Sequence, residues 1–383
     1  TGCQGTAATP PAIGCRRLTA MADRGARVVL LGLDGFPARV ISPEITPRLW
    51  RLGESGGRAA YGVTALPSST YPGFASLLTG RLPRAHGVRT TAALVYSELP
   101  AWAGSWRQVQ APTLFDACRA AGLASAAIQG DHLMHGLLKT EAANRIWPPN
   151  GTVPPGTPLD DHGYPTNASV RPHLLAAMAD RSLDFVFGHL NEADTVGHDL
   201  GPDSEAARAC YRATDAVIGE LLDALVDRDR TLVMVVSDHD MEPRTSNQPI
   251  KLVDAAEDVV DAVIADGGSA LAHLRPGVNH ETAVAAIGAV EGVGMCVDGD
   301  ADFVIAGARP GFIFDAPYLP PGGYHGGPAT ARTVALVGGG HPAAGQIGRA
   351  IEARPPHLAD WAPTIAPLVG LRLPGVDGRD LLG

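Results

Sequence analysis

Five short runs in this chain are dominated by apolar, often β-branched residues: RVVLLGL from Arg27, ASAAI from Ala124, LDFVFGHL from Leu183, TLVMVV from Thr231 and TVALV from Thr333. A half-buried strand alternates polar and apolar residues, whereas a strand that is apolar throughout must be covered on both faces. Between the runs lie stretches with helical spacing, among them TLFDACRAAGL, EAARACYRATDAVIGELLDAL and ADWAPTIAPLVGL. Buried strands alternating with helices predict an α/β fold, a mostly parallel central sheet with helices on both faces. In such sheets ligands bind beyond the carboxyl ends of the strands. The polar residues that directly follow each run are therefore the candidates for chemistry.

The pattern changes between residues 247 and 321. There SALAHLRPG, NHETAVAAIGAVEGV and DADFVIAGARPGFIF suggest a small strand-helix-strand unit, an inserted α+β cap subdomain within a main domain spanning 27–383. WPPNGTVPPGTPLDDHGYP, from Trp147 to Pro165, reads as a long surface loop able to line a site. Residues 1–26 lack the continuous apolar core of a signal peptide and read as a disordered leader; MADRGARVV from Met21 looks like a natural start. No apolar run approaches the roughly 20 residues of a membrane span. A net charge of -10 argues against a nucleic-acid-binding surface, which is normally basic. An acidic protein that handles an anionic substrate must gather positive charge locally, and bound metal is one way to do so. The five cysteines, Cys3, Cys15, Cys118, Cys210 and Cys296, have neither disulfide-framework nor zinc-type spacing, which favours a reducing, cytoplasmic setting.

Four polar clusters follow apolar runs. Asp34 directly follows RVVLLGL, where a lone Asp is usually a turn former. Asp194 and His198 are four apart in NEADTVGHDLGP and share a face if that segment is helical, although Gly197 weakens the helix. SDHDM puts Asp238, His239 and Asp240 at the end of TLVMVV, where an irregular turn lets neighbouring side chains reach one point. His325 lies in PGGYHGGP, whose glycines permit positive φ and close backbone approach. Oxygen and nitrogen donors without thiolate suit zinc or another divalent first-row metal, and using all of them requires two ions. LPSSTYPG adds three consecutive hydroxyls, Ser68, Ser69 and Thr70, ahead of a helical stretch. Ser and Thr are favoured helix caps, so this segment alone does not separate capping from chemistry.

The order of motifs resembles the alkaline phosphatase superfamily and, within it, the nucleotide pyrophosphatase/phosphodiesterase family. LDG, ITPRLWRLGESG, PSSTYPGFASLLTG and LPRAHG are similar to that family's opening, EADTVGHDLGP, SDHDM and GGYHGG to its later motifs, and HLADWAPTIAPLVGLRLPGVDGRDL to the superfamily's last helix and loop. The resemblance implies that Asp34, Thr70, Asp238 and His239 hold one metal ion and Asp194, His198 and His325 the other, most plausibly zinc. It implies that Thr70 is both ligand and nucleophile, forming a phosphothreonine that is hydrolysed by water activated at the Asp194/His198/His325 ion. The substrate would be a small phosphodiester or pyrophosphate of nucleotide type, with Tyr71 either against its nucleoside side or part of the ordinary core. Gly73 and Thr91 stand where the family usually has Asn, and Thr91 or Arg89 is left to donate to the phosphoryl oxygen. Asp240 replaces a Gly and adds negative charge beside the metals, which favours diesters over monoesters. The chain also resembles phosphonoacetate hydrolase, but QGDHL has Gly130 and His132 where that enzyme's carboxylate-binding lysines stand. A phosphomonoesterase and a catalytically silent metal-bearing binding protein are the remaining alternatives; the C/S-x-P-x-R signature of sulfatases is absent.

Overall fold

All five apolar runs become strands of one seven-stranded sheet in the computed structural model, which describes residues 25–92, 103, 106–246, 248–300 and 302–383. Residues 1–24 of the expected leader lie outside the described residues. The runs form β1 (Arg27–Leu33), β3 (Ser125–Ile128), β5 (Phe185–Leu190), β6 (Thr231–Ser237) and β11 (Ala335–Gly339). The short β2 (Gly57–Arg58) and β4 (Arg145–Trp147) complete the sheet, and β7 to β10 belong to a second one. The order across the main sheet is β2-β11-β6-β1-β5-β3-β4. From β6 to β4 the strands run parallel; β11 is antiparallel to both β6 and β2.

Every residue of β1, β3, β5 and β6 is buried, as continuous apolar strands require. Side-chain alternation divides β1 between two cores: Val28 and Leu30 face one layer, Val29, Leu31 and Leu33 the other. The first layer is filled from helices α2 (Thr70–Thr79), α3 (Leu114–Ala121), α8 (Ala343–Ala353) and α9 (Trp361–Leu368), through Phe74, Phe115, Ile347 and Ile365. The second is filled from α1 (Pro47–Ser55), α4 (Asn167–Met178) and α6 (Glu205–Asp223), through Leu49, Leu174 and Ile218. β1 lies between β5 and β6, so three carboxyl ends open side by side. α5 (Glu192–Leu200) begins just after β5 at that edge.

The second sheet is antiparallel and has the order β9-β10-β8-β7, formed by β7 (Val260–Asp266), β8 (Ser269–Leu274), β9 (Val293–Asp300) and β10 (Phe303–Ala308). With α7 (His280–Gly288) it has its own core of Val260, Ala270, Ala272, Ile287, Val304 and Phe314. The expected strand-helix-strand pattern gains two strands here. VDAVIAD and VGMCVDGD are broken by aspartates and glycines, and so lack the unbroken apolar run that marks the main sheet. Among the described residues no helix is long and apolar enough to cross a membrane, and Cys118, Cys210 and Cys296 are free thiols.

Candidate active site

The carboxyl ends of β1, β5 and β6 deliver the acidic residues to one point. Asp34 is the first residue past β1, and Asp238 and His239 leave the end of β6. Asp194 and His198 sit one turn apart on α5, with Asp194 Oδ2 3.4 Å from His198 Nε2; the helix forms despite Gly197. Thr70 is the first residue of α2, a helix whose ten residues are all buried. His325 follows the two-residue strand Gly323–Tyr324.

These side chains converge. Thr70 Oγ1 donates to Asp34 Oδ1 at 3.3 Å and lies 3.3 Å from His239 Nε2. His239 Nε2 is 3.1 Å from Asp238 Oδ2, 3.6 Å from Asp34 Oδ1 and 4.0 Å from Asp194 Oδ1. His325 Nε2 is 3.8 Å from Asp194 Oδ1, and the His325 and His239 rings stack with centroids 3.8 Å apart. Two groups of three donors are close enough to share an ion: Asp34, Asp238 and His239, and Asp194, His239 and His325. His239 therefore stands between the two sets, where the sequence reading assigns it to one.

Electrostatics and hydrogen bonding both fit a bound cation. Burial, reinforced by Asp238 and Asp194, holds the Asp34 carboxyl well above the usual carboxylate range. Burial also pushes Asp238 upward, but His239 outweighs it and the carboxyl ends below its ordinary value. For His239, burial is overcome by Asp238 and the imidazolium is favoured up to about 9. Burial, then His239 and His198, hold His325 well below the ordinary histidine value. Asp194 Oδ1 and Asp238 Oδ2 are buried without a hydrogen bond, although imidazole nitrogens lie nearby. Buried polar atoms are nearly always satisfied, so orphaned carboxylate oxygens facing imidazole nitrogens point to a metal. Each histidine is also fixed from behind: Nδ1 of His239 donates to the Asp240 carbonyl (3.0 Å), Nδ1 of His198 to that of Gly323 (3.0 Å), and Nδ1 of His325 to that of Ser68 (3.3 Å). Such bonds set the tautomer and leave Nε2 as the ligand atom.

Several participants are absent from the sequence reading. His189, inside β5, places Nε2 3.1 Å from Asp34 Oδ2 and packs its ring edge-on to Phe74. A histidine in an otherwise apolar buried strand was the available signal. Asp131, beyond the end of β3, is buried and hydrogen-bonded by the Leu133 N–H (2.7 Å) and the Tyr71 hydroxyl; burial raises its carboxyl to about 7. Tyr164, from the Trp147–Pro165 loop, joins Tyr71 in that cluster. Asp266 reaches the site from the end of β7.

A cavity of about 580 Å³ opens over the cluster, lined by Asp34, Thr70, Asp194 and His325 among others, with Tyr71, Thr91, Asp131, Asp161 and Tyr164 on its walls. None of its described lining residues is Lys or Arg. Thr91 Oγ1 accepts from the Tyr71 N–H at 3.4 Å. Arg89 is not in the lining; its guanidinium lies over the Trp106 and Phe303 rings, 5.6 and 5.2 Å from their centroids. Asp240 is not an uncompensated charge beside the cluster, as the sequence suggests. It pairs with the Arg39 guanidinium and accepts the Met241 N–H at 2.7 Å.

Comparison with known proteins supplies the remaining context. A family model described as type I phosphodiesterase / nucleotide pyrophosphatase matches residues 28–300. An uncharacterized pyrophosphatase/phosphodiesterase of Schizosaccharomyces pombe is 25% identical over 245 residues, 59% of this chain and 47% of that protein. Human ectonucleotide pyrophosphatase/phosphodiesterase family member 7 is 25% identical over 232 residues, 56% of this chain and 48% of that protein. The chain thus spans about half the length of these curated relatives. Among solved structures, murine ectonucleotide pyrophosphatase / phosphodiesterase 5, in an inactive form with AMP, superposes with a TM-score of 0.67 at 16% identity, covering 92% of this chain and 97% of that one. Phosphonoacetate hydrolase from Sinorhizobium meliloti with phosphonoformate gives 0.64 at 20% identity, covering 82% and 90%.

Proposed function

The chain belongs to the type I phosphodiesterase / nucleotide pyrophosphatase family, and from that premise we propose that it is a metal-dependent hydrolase of phosphodiester or pyrophosphate bonds, with Thr70 as nucleophile. The observation that carries the proposal is the position of Thr70 Oγ1, 3.3 Å from both Asp34 and His239, at the start of a buried helix and on the wall of a cavity whose described lining has no Lys or Arg. Asp34, Asp238 and His239 on one side and Asp194 and His325 on the other, joined by His198 beside Asp194, would hold two divalent ions, and their oxygen and nitrogen donors suit zinc. Such ions, when bound, lower the pKa of a hydroxyl nucleophile and neutralise charge on phosphoryl oxygens.

The protein's own residues account for the rest. Thr70 Oγ attacks phosphorus while the bond to the leaving oxygen breaks, giving a phosphothreonine and a free alcohol or phosphate. Water then attacks the same phosphorus from the side of Asp194, His198 and His325, the bond from phosphorus to Thr70 Oγ breaks, the phosphate product leaves carrying the water's oxygen, and a proton from that water restores the Thr70 hydroxyl. The N-terminus of α2 directs its dipole at the phosphoryl group, which favours the anion. Tyr71, Tyr164 and Asp131 form the polar wall that would meet the organic part of the substrate. The murine neighbour, described as inactive with a threonine replaced by alanine, supports a catalytic threonine.

The test is a chromogenic diester assayed beside its monoester and phosphonoacetate, with and without chelator, on wild type and Thr70→Ala. The expected outcome is diester hydrolysis abolished by chelation, restored by zinc, and lowered about 10³-fold or more in Thr70→Ala. Hydrolysis that survives both treatments overturns the mechanism. Preference for phosphonoacetate or the monoester reassigns the substrate, and tight metal binding without turnover of any of them favours a silent binding protein.

A further inference from the structure

The second sheet reaches the nucleophile through one carboxylate. Asp266, at the end of β7, is 8% exposed, and its Oδ2 accepts from Ser69 Oγ (2.9 Å), Thr90 Oγ1 (2.7 Å) and the Thr91 N–H (2.9 Å). Ser69 precedes Thr70, and Tyr71, which follows it, donates its N–H to Thr91 Oγ1. Both chain neighbours of Thr70 are therefore tied, directly or through Thr91, to a single buried oxygen.

The local sequence explains why Ser69 is free for this bond. Ser69 is the N-cap of α2, a position whose hydroxyl ordinarily accepts from the second or third helical N–H. Here the third helical residue is Pro72, which has no N–H, and the N–H of the second, Tyr71, goes to Thr91. Ser69 makes no cap bond and donates to Asp266 instead.

The turn that carries Asp266 also locks onto the loop that carries His325. The Gly268 N–H donates to the His325 carbonyl (2.7 Å) and Ser269 Oγ to the Gly326 carbonyl (2.6 Å). The Ser68 and Gly326 main chains exchange two bonds of 3.0 Å each. The two loops touch backbone to backbone: a Cβ on Gly326, whose φ is +99°, would lie 1.8 Å from the Asp266 carbonyl oxygen. The Thr70 segment, the β7–β8 turn and the His325 loop thus form one hydrogen-bonded unit.

We propose that Asp266, supplied by the four-stranded sheet, is a positioning residue for Thr70, holding Oγ1 at its distance from Asp34 and His239. This rests on the reading of Thr70 as nucleophile. The metal-loaded full chain is assayed with the chromogenic diester as wild type, Thr70→Ala, Asp266→Ala, Asp266→Asn, Asp266→Glu and Ser69→Ala, and bound metal is measured in each. Asp266→Ala is expected to lower kcat by about 10- to 100-fold, as a misplacement of about 1 Å does, with KM and metal content unchanged. Asp266→Asn keeps one acceptor oxygen in place and restores most of kcat, whereas the longer Asp266→Glu does not. Ser69→Ala shows a smaller fall in kcat. If Asp266→Ala fails to fold, the contrast between Asn and Glu together with Ser69→Ala decides the matter. Normal kcat in the Asp266 variants with inactive Thr70→Ala overturns the positioning role alone, as does a loss seen only in KM or in metal content. Wild-type activity that does not depend on Thr70 overturns the nucleophile assignment and this role with it.

Discussion

Ser68, Ser69 and Thr70 send their hydroxyls to three different places. Ser68 Oγ donates to the Gly327 carbonyl at 2.7 Å, Ser69 Oγ to Asp266, and Thr70 Oγ1 to Asp34. Locally the three residues are equivalent, and only partners far away in the chain distinguish them; this is why the segment alone leaves the question open, whereas the strand-end positions of Asp34, Asp194 and Asp238 are legible from pattern. Asp34, Asp131 and Asp266 are each a lone Asp beside Gly, and of the three only Asp34 falls in a motif that resembles the family's opening, so Asp131 and Asp266 escape notice. Gly73, where the family usually has Asn, packs tightly here: a Cβ would lie 3.0 Å from Asp238 Cβ, so Asp238 would have to give by a few tenths of an ångström. Gly73→Asn should push Asp238 out of place, weakening metal binding by about 10- to 100-fold at a stability cost of about 1–3 kcal/mol; metal titration and thermal unfolding check the two parts. Unchanged metal affinity would show that Asp238 tolerates the displacement.

At the scale of elements, helices and strands are held by groups borrowed from their neighbours. The N-terminus of α1 has no side-chain cap of its own, since Thr46 makes no such bond. Asp215 of α6, 3% exposed, accepts the N–H groups of Arg48 and Leu49 at 2.8 to 3.1 Å and serves as the cap across the interface. Asp215→Ala should lower the unfolding free energy by about 1.5–3 kcal/mol, the range for a hydrogen bond to a charged group, while kcat stays unchanged, because neither helix contributes to the cavity lining. Denaturant unfolding beside a diester assay tests this. The apolar periodicity of the chain identifies the buried strands and the helices between them. A cap contributed by another helix has no signature in either segment, and neither does the antiparallel direction of β11, whose TVALV run reads like a parallel core strand.

For the whole molecule, charge distribution sets what the cavity accepts. The chain carries a net charge of -10, and the cavity walls beyond the cluster add Asp161 and Asp199 without a described Lys or Arg. A diester whose leaving group bears an extra carboxylate or phosphate should therefore have a lower kcat/KM than a neutral one of the same size. The gap should narrow as salt rises from 0.01 to about 0.15 M, where screening shortens to roughly 8 Å. An equal or reversed preference at low salt would contradict this. The interlocked loops bear on a different matter, how much of the chain the site requires. Ser68 is bonded to a residue 258 positions later, and the family match over residues 28–300 ends before His325. A chain that stops at residue 300 carries Asp34, Thr70, Asp194 and Asp238 but lacks His325, β11 and the carbonyl partners of Ser68. A truncation that removes His325 and everything after it should therefore silence hydrolysis while leaving most of the parallel sheet encoded, because the site closes only when these distant segments meet.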